Sequence, residues 1–182
     1  MKSIVQLFWQ ICLMRTGPDQ VPAAAAFTVF ILFIYAALSL FARLVIGELP
    51  VDYSVVSLVV ITALWALSVY AVLQFKGLAS RFQQTFTAAL GADVLLTLVT
   101  LPLVVVSINL PETSPEASLV ALSMLVLFVW DVLIKGFIFH KAFNVSPLQG
   151  NLFSFMLNFV IFRLDQALLT YFVPSALEKL QG

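Results

Sequence analysis

Along this chain the apolar residues come in long runs, and the polar ones are confined to short breaks between them. A helix needs roughly 20 apolar residues to cross a hydrocarbon core about 30 Å thick, since each residue adds about 1.5 Å. Five stretches meet that length: residues 22–46, 53–75, 86–108, 117–139 and 151–173. The first contains the uncharged run VPAAAAFTVFILFIYAALSLFA, and Pro22 suits a first helical turn, where its missing N–H costs nothing. The second is equally free of charge. The third contains Asp93 and Pro102, and the proline predicts a local kink. Asp131 and Lys135 fall in the fourth stretch, Arg163 and Asp165 in the fifth. The pattern predicts one all-α membrane domain, a polytopic bundle of five transmembrane helices.

The segment before the first span, MKSIVQLFWQICLMRTGPDQ, has the apolar run of a signal peptide, but Gln6 and Gln10 interrupt it and Gly17-Pro18 marks a turn rather than a cleavage site. Over residues 2–15 the spacing predicts an interfacial amphipathic helix. Ser3, Gln6 and Gln10 share a narrow polar face, while Phe8, Trp9 and Leu13 dip into the headgroup boundary.

Charge placement then orients the bundle. Basic residues in short loops stay on the cytoplasmic side. Lys2 and Arg15 precede the first span, Lys76 and Arg81 separate the second from the third, and His140 and Lys141 follow the fourth. The alternate segments hold Glu48 and Asp52, Glu112 and Glu116, then Glu178 beside Lys179. The amino terminus is therefore expected inside and the carboxyl terminus outside, with Arg43 an exception whose long stem could snorkel from the end of its span. Composition agrees with this class: 62% of the 182 residues are hydrophobic and 10% charged, too much apolar surface for a soluble fold to keep dry. Nine basic and nine acidic residues cancel, which argues against nucleic acid as a partner.

Ionisable groups inside a span cost about 2.5–3.5 kcal/mol on insertion scales and usually face other helices or a wet cavity. Lys135 is expected close enough to its helix end to snorkel, and Asp131 precedes it by four residues, the order that favours an ion pair. Asp93 shares a small, polar stripe with Thr85, Ala89, Thr97 and Thr100, suited to close packing. Arg163 and Asp165, two residues apart, point about 200° apart around a helix, so they cannot serve one cavity. Asp165 is in phase with Asn151, Ser154 and Asn158, and Arg163 with Gln166 and Thr170. Polar stripes on two sides of one helix predict protein on both, hence a homo-oligomer or a second membrane protein. Together, Asp93, Asp131, Lys135, Arg163 and Asp165 form the expected intramembrane polar network, serving either helix pairing or ion transfer.

Catalytic motifs are lacking. His140 is the single histidine and Cys12 the single cysteine, so neither a metal cluster nor an intrachain disulfide is expected, and Cys12 is expected as a small apolar residue at the membrane surface. LGAD, ending at Asp93, resembles the GxGD of intramembrane aspartyl proteases but lacks the first glycine and any YD companion. No HExxH motif occurs. The chain is expected not to be an enzyme and to need no cofactor.

FTAALGADVLLTLVTLPLVVV, a small-residue span with Pro102, is followed by WDVLIKGFIFHKAFNVSPLQG, a tryptophan-containing helix with a short polar exit. Together with five spans and an amphipathic lead-in, this resembles the Yip (Ypt-interacting protein) family over roughly residues 86–173. Eukaryotic members carry a longer cytoplasmic amino-terminal region associated with small-GTPase binding and vesicle traffic. With about twenty residues there, this chain is similar to the short bacterial five-span type, and neither GTPase binding nor a set of site residues carries over. The resemblance implies a non-enzymatic scaffold or accessory subunit of a bacterial inner membrane, or alternatively of an organelle membrane, acting through lipids or another membrane protein. The alternative function is a small transporter or channel component using the intramembrane carboxylates.

Overall fold

The computed structural model describes residues 3–46, 49–111 and 114–173, and over these the chain is helical with no strand. Six helices follow one another: α1 (Ile4–Cys12), α2 (Ala25–Ile46), α3 (Val51–Phe75), α4 (Phe82–Ile108), α5 (Pro115–Phe143) and α6 (Pro147–Phe172). The last five are long and apolar enough to cross a membrane, which makes this an integral membrane protein with an all-α polytopic fold. Large apolar side chains such as Phe33, Leu67, Phe75 and Leu148 are exposed on the bundle exterior, as lipid-facing residues must be.

Local chemistry sets the helix ends. Ser3 caps α1 by accepting from Gln6 N at 3.2 Å. Ser114 caps α5 in the same way, with Pro115 in the first turn. Between α5 and α6, Asn144 adopts a left-handed conformation with φ 52°, and Ser146 with Gln149 forms a capping box ahead of α6. This turn explains why the helices overrun the expected bounds. α5 continues through His140 and Lys141 to Phe143, whose ring is buried, and α6 starts four residues earlier than its apolar run. α4 likewise begins at Phe82, and it stays one helix through Pro102.

α5 and α6 are packed closely as a hairpin. A Cβ on Gly136 would lie 2.8 Å from Asn151 Cα, and one on Gly150 would lie 2.8 Å from His140 N, so each helix needs a glycine where the backbones meet. α4 lies against α2 and α5. A hydroxyl pair, Thr28 with Thr87 at 2.8 Å, ties α2 to it.

One expectation is corrected here. α1 does not rest its apolar face on lipid alone: Phe8, Ile11 and Cys12 are buried against the bundle, Phe8 stacks on Phe27, and Trp130 Nε1 donates to the Cys12 carbonyl at 3.1 Å. The spans are also unevenly packed. Buried residues of α4 run only from Thr85 to Leu96 and those of α5 only from Val132 to Phe143. α4 and α5 are thus tightly packed at the end bearing Lys76, Arg81 and Lys141, called here the basic end, and more open toward the other, where α3 instead buries Tyr53, Ser54, Ser57 and Leu58. Of the acidic positions expected to mark that other end, Asp52 and Glu116 sit in the first turns of α3 and α5. Lys2, Glu48, Glu112, Glu178 and Lys179 lie outside the described residues.

Because the new methyl would meet Asn151 Cα as well as the Asn151 side chain, and the backbone atom cannot simply swing aside, Gly136→Ala is expected to lower stability by about 1–3 kcal/mol. Thermal unfolding in mild detergent reads this directly. An unchanged midpoint would mean the helices do not cross at that glycine.

Candidate functional site

Three of the five intramembrane charges meet. Lys135 Nζ lies 2.9 Å from Asp93 Oδ1 on α4 and 2.9 Å from Asp131 Oδ1 one turn earlier on its own helix, and it donates to Asp131 Oδ2 at 3.0 Å. The side chains are 11% (Lys135), 21% (Asp93) and 17% (Asp131) exposed. Lys135 therefore does not snorkel. It sits about two turns inside α5, and turning inward gives its ammonium two anionic acceptors that a lipid-facing rotamer would lack. With all three groups ionised the cluster carries one surplus negative charge, and among the described residues no second cation pairs with either carboxylate.

The cluster forms part of the wall of a cavity of about 470 Å³. Hydroxyls and an amide line it beside the charges: Tyr35 and Ser39 from α2, Thr62 from α3, Thr97 and Thr100 from α4, and Asn158 from α6. The stripe containing Asp93 therefore divides. Thr85 and Ala89 are packed away as expected, whereas Thr97 and Thr100 face open space. Trp65, tilted against Phe86 and Phe139, and apolar Leu90 and Leu96 close other parts of the wall.

Cys12 lies behind this cluster rather than at a surface. Burial first, and then the nearby Asp93 and Asp131 carboxylates, push its thiol up to about 12, so it stays protonated and unreactive. His140 is also structural, with Nδ1 against the Val145 carbonyl at the α5–α6 turn. Among the described residues no group of three His, Cys, Asp or Glu side chains is placed to hold a metal.

Asp165 belongs to a second, separate polar centre. Its Oδ1 accepts from the Tyr53 hydroxyl at 2.9 Å and from Ser57 Oγ, both on α3, and lies 3.9 Å from Arg43 Nη1. Arg43 thus turns into the protein instead of snorkelling, because a carboxylate waits there. A cavity of about 370 Å³ borders this group. Arg163 is exposed on the outer face of α6 beside Gln166 and Thr170 and makes no ion pair among the described residues. The five charges are therefore three places and not one network, and Asp165, expected to reach beyond the monomer, is satisfied inside it.

Sequence reasoning missed Tyr35 and Ser39, and it did not join Arg43 to Asp165. A signal was present: Tyr35, Ser39 and Arg43 recur every four residues, a polar stripe down one face of an otherwise apolar span. Compared with protein-family models, with curated proteins and with solved structures, the chain matches none.

Removing the ammonium by Lys135→Met leaves two carboxylates facing each other in an apolar setting, and a loss of about 3 kcal/mol is expected. Adding Asp93→Asn should restore part of it. A double-mutant cycle on thermal stability in detergent measures the coupling, and strictly additive effects would show that the two side chains do not interact.

Proposed function

We propose that this protein binds a proton or small cation inside the membrane and passes it on, as a small transporter or channel component. One observation carries the reading: two carboxylates share a single ammonium on the wall of a polar cavity. A surplus negative charge in a low-dielectric setting is costly, and it is neutralised either by one proton on the carboxylate pair or by a cation from the cavity. Intramembrane carboxylates of this kind serve as relay or coordination groups. Asp93 and Asp131 hold the transferred charge, Lys135 sets their spacing, and the cavity hydroxyls supply neutral acceptors. The activity is binding and transfer, not catalysis.

A second reading, that of the scaffold or accessory subunit implied by the Yip-like pattern, is favoured by a different feature. Arg163 presents a cation on a membrane-facing helix with Gln166 and Thr170 beside it, and a carboxylate on another membrane protein would match it. The host membrane on either reading is a bacterial inner membrane, by the charge pattern of the loops and the short Yip-like type.

Proteoliposome flux separates ligand handling from assembly. Wild-type protein is expected to raise proton or sodium flux at least about tenfold over empty liposomes, and Asp93→Asn, whose amide can still hydrogen-bond, is expected to abolish the gain while eluting at the same size. Full flux in that variant would end the transfer reading. For the second reading, native mass spectrometry of protein extracted from its own membrane is expected to show a larger complex that Arg163→Leu dissociates. A wild-type monomer would dispose of it.

A further inference from the structure

The two polar centres lie on either side of a common partition. Tyr35, Ser39, Ile61 and Thr97 line both the cavity that holds the Asp93–Lys135–Asp131 cluster and the cavity at Asp165, so only those side chains divide the two spaces. Three of the four carry hydroxyls. The second cavity then continues to Arg43, Leu49 and Tyr53, at the ends of α2 and α3 remote from the basic end.

The opposite direction is shut. Phe8 fills the space over Gly91, where even a methyl would collide with its ring, and Ile11 and Cys12 are buried beside it. The segment joining α1 to α2 is tied down by Gln84, whose Nε2 donates to the carbonyls of Asp19 at 3.2 Å and Val21 at 3.1 Å. Arg81 donates to the Ala142 carbonyl at 3.2 Å and to Asn144 Oδ1 at 3.1 Å, and the cavity of about 290 Å³ that it lines with Gln84 and Asn144 shares no lining residue with the cavity of the charge cluster. On α4 the packing follows the same division, with buried residues from Thr85 to Leu96 and none of its residues buried beyond.

We infer that the charge cluster is reached from the non-basic, extracytoplasmic side, along a hydroxyl-lined route past Tyr35, Ser39 and Thr97 with the Arg43–Asp165 pair at its mouth, and that α1 is the plug that closes the cytoplasmic side. The inference rests on the cation reading for what travels the route and on geometry alone for its direction. A cation entering this way meets Asp165 first, whose charge Arg43 offsets, then neutral hydroxyl oxygens, and last the carboxylate pair with its surplus charge. That ordering draws a cation inward and offers an anion nothing but carboxylates at the end.

Thiol accessibility in sealed vesicles tests the direction without any assumption about transport. In a Cys12→Ala background, single cysteines are placed by Thr97→Cys and Ser39→Cys, with Lys76→Cys on the basic end as the orientation marker, and a membrane-impermeant cationic methanethiosulfonate is added to right-side-out or inside-out vesicles. Thr97→Cys and Ser39→Cys are expected to react at least about fivefold faster from the face opposite to the one that labels Lys76→Cys. Adding Phe8→Ala is expected to open reaction from the Lys76 face as well. Faster reaction from the Lys76 face, equal rates from both, or no reaction in either folded variant would each overturn the route. Outward labelling combined with flux that survives Asp93→Asn would keep the route and remove the cation, so the two ideas fail separately.

Discussion

The ammonium of Lys135 held between Asp93 and Asp131 is the constraint on which the rest of the arrangement depends. Each of these groups would be expensive alone at its depth, and none is long enough to reach the membrane surface. Their joint position therefore fixes how α4 lies on α5, and the α4–α5 relation in turn sets where α2 and α3 can sit. The cavity follows as a consequence. With α4 and α5 pinned together at one level by charge and packed tightly on the basic side by Ala88, Ala89, Gly91 and Ala92, the helices diverge beyond it, and side chains such as Thr97 and Thr100 are left facing space.

Small residues and large ones divide the work between the two halves of the bundle. On the basic side, Gly136 and Gly150 let backbones touch, and the aromatic group of Trp65, Phe86, Phe139 and Phe153 fills what remains. Toward the other end the described residues hold no comparable set, and polar contacts take over: Tyr53, Ser57 and Arg43 gather on Asp165. The same chain thus joins α3 to α6 by hydrogen bonds at one end and α5 to α6 by close packing at the other.

The spans were legible in the sequence because their cause is one-dimensional: about 20 apolar residues in a row suffice, whatever they pack against. The ion pair of Asp131 with Lys135 was legible for the same reason, since its spacing lies within one helix. What escaped depends on rotation and partner. Lys135 was expected to reach for the membrane surface because its distance from a helix end was judged from the apolar run, whereas α5 runs on to Phe143 and leaves the side chain deep. Arg43 was expected to snorkel because nothing in its own span could receive it, the acceptor lying 122 residues later on α6. The burial of α1 was hidden for a similar reason. An amphipathic stripe says that a face will be covered, and lipid or protein can cover it equally well. The opposed directions of Arg163 and Asp165, by contrast, follow from helix geometry alone and were visible before any packing was known.

The tight turn between α5 and α6 bears on how the chain enters its membrane. α6 is the least apolar of the five long helices, burdened by Asn151, Asn158, Arg163, Asp165 and Gln166. Left to partition by itself during synthesis it would hesitate at the translocon, since each charge opposes insertion. Only Asn144, Val145 and Ser146 separate it from α5, and the glycine crossing lets the two backbones pair as soon as both have emerged. The hairpin thus pairs a strongly apolar arm with a less apolar one, and two of the polar residues that lower the hydropathy of α6, Asn158 and Asp165, are the ones that face the two cavities.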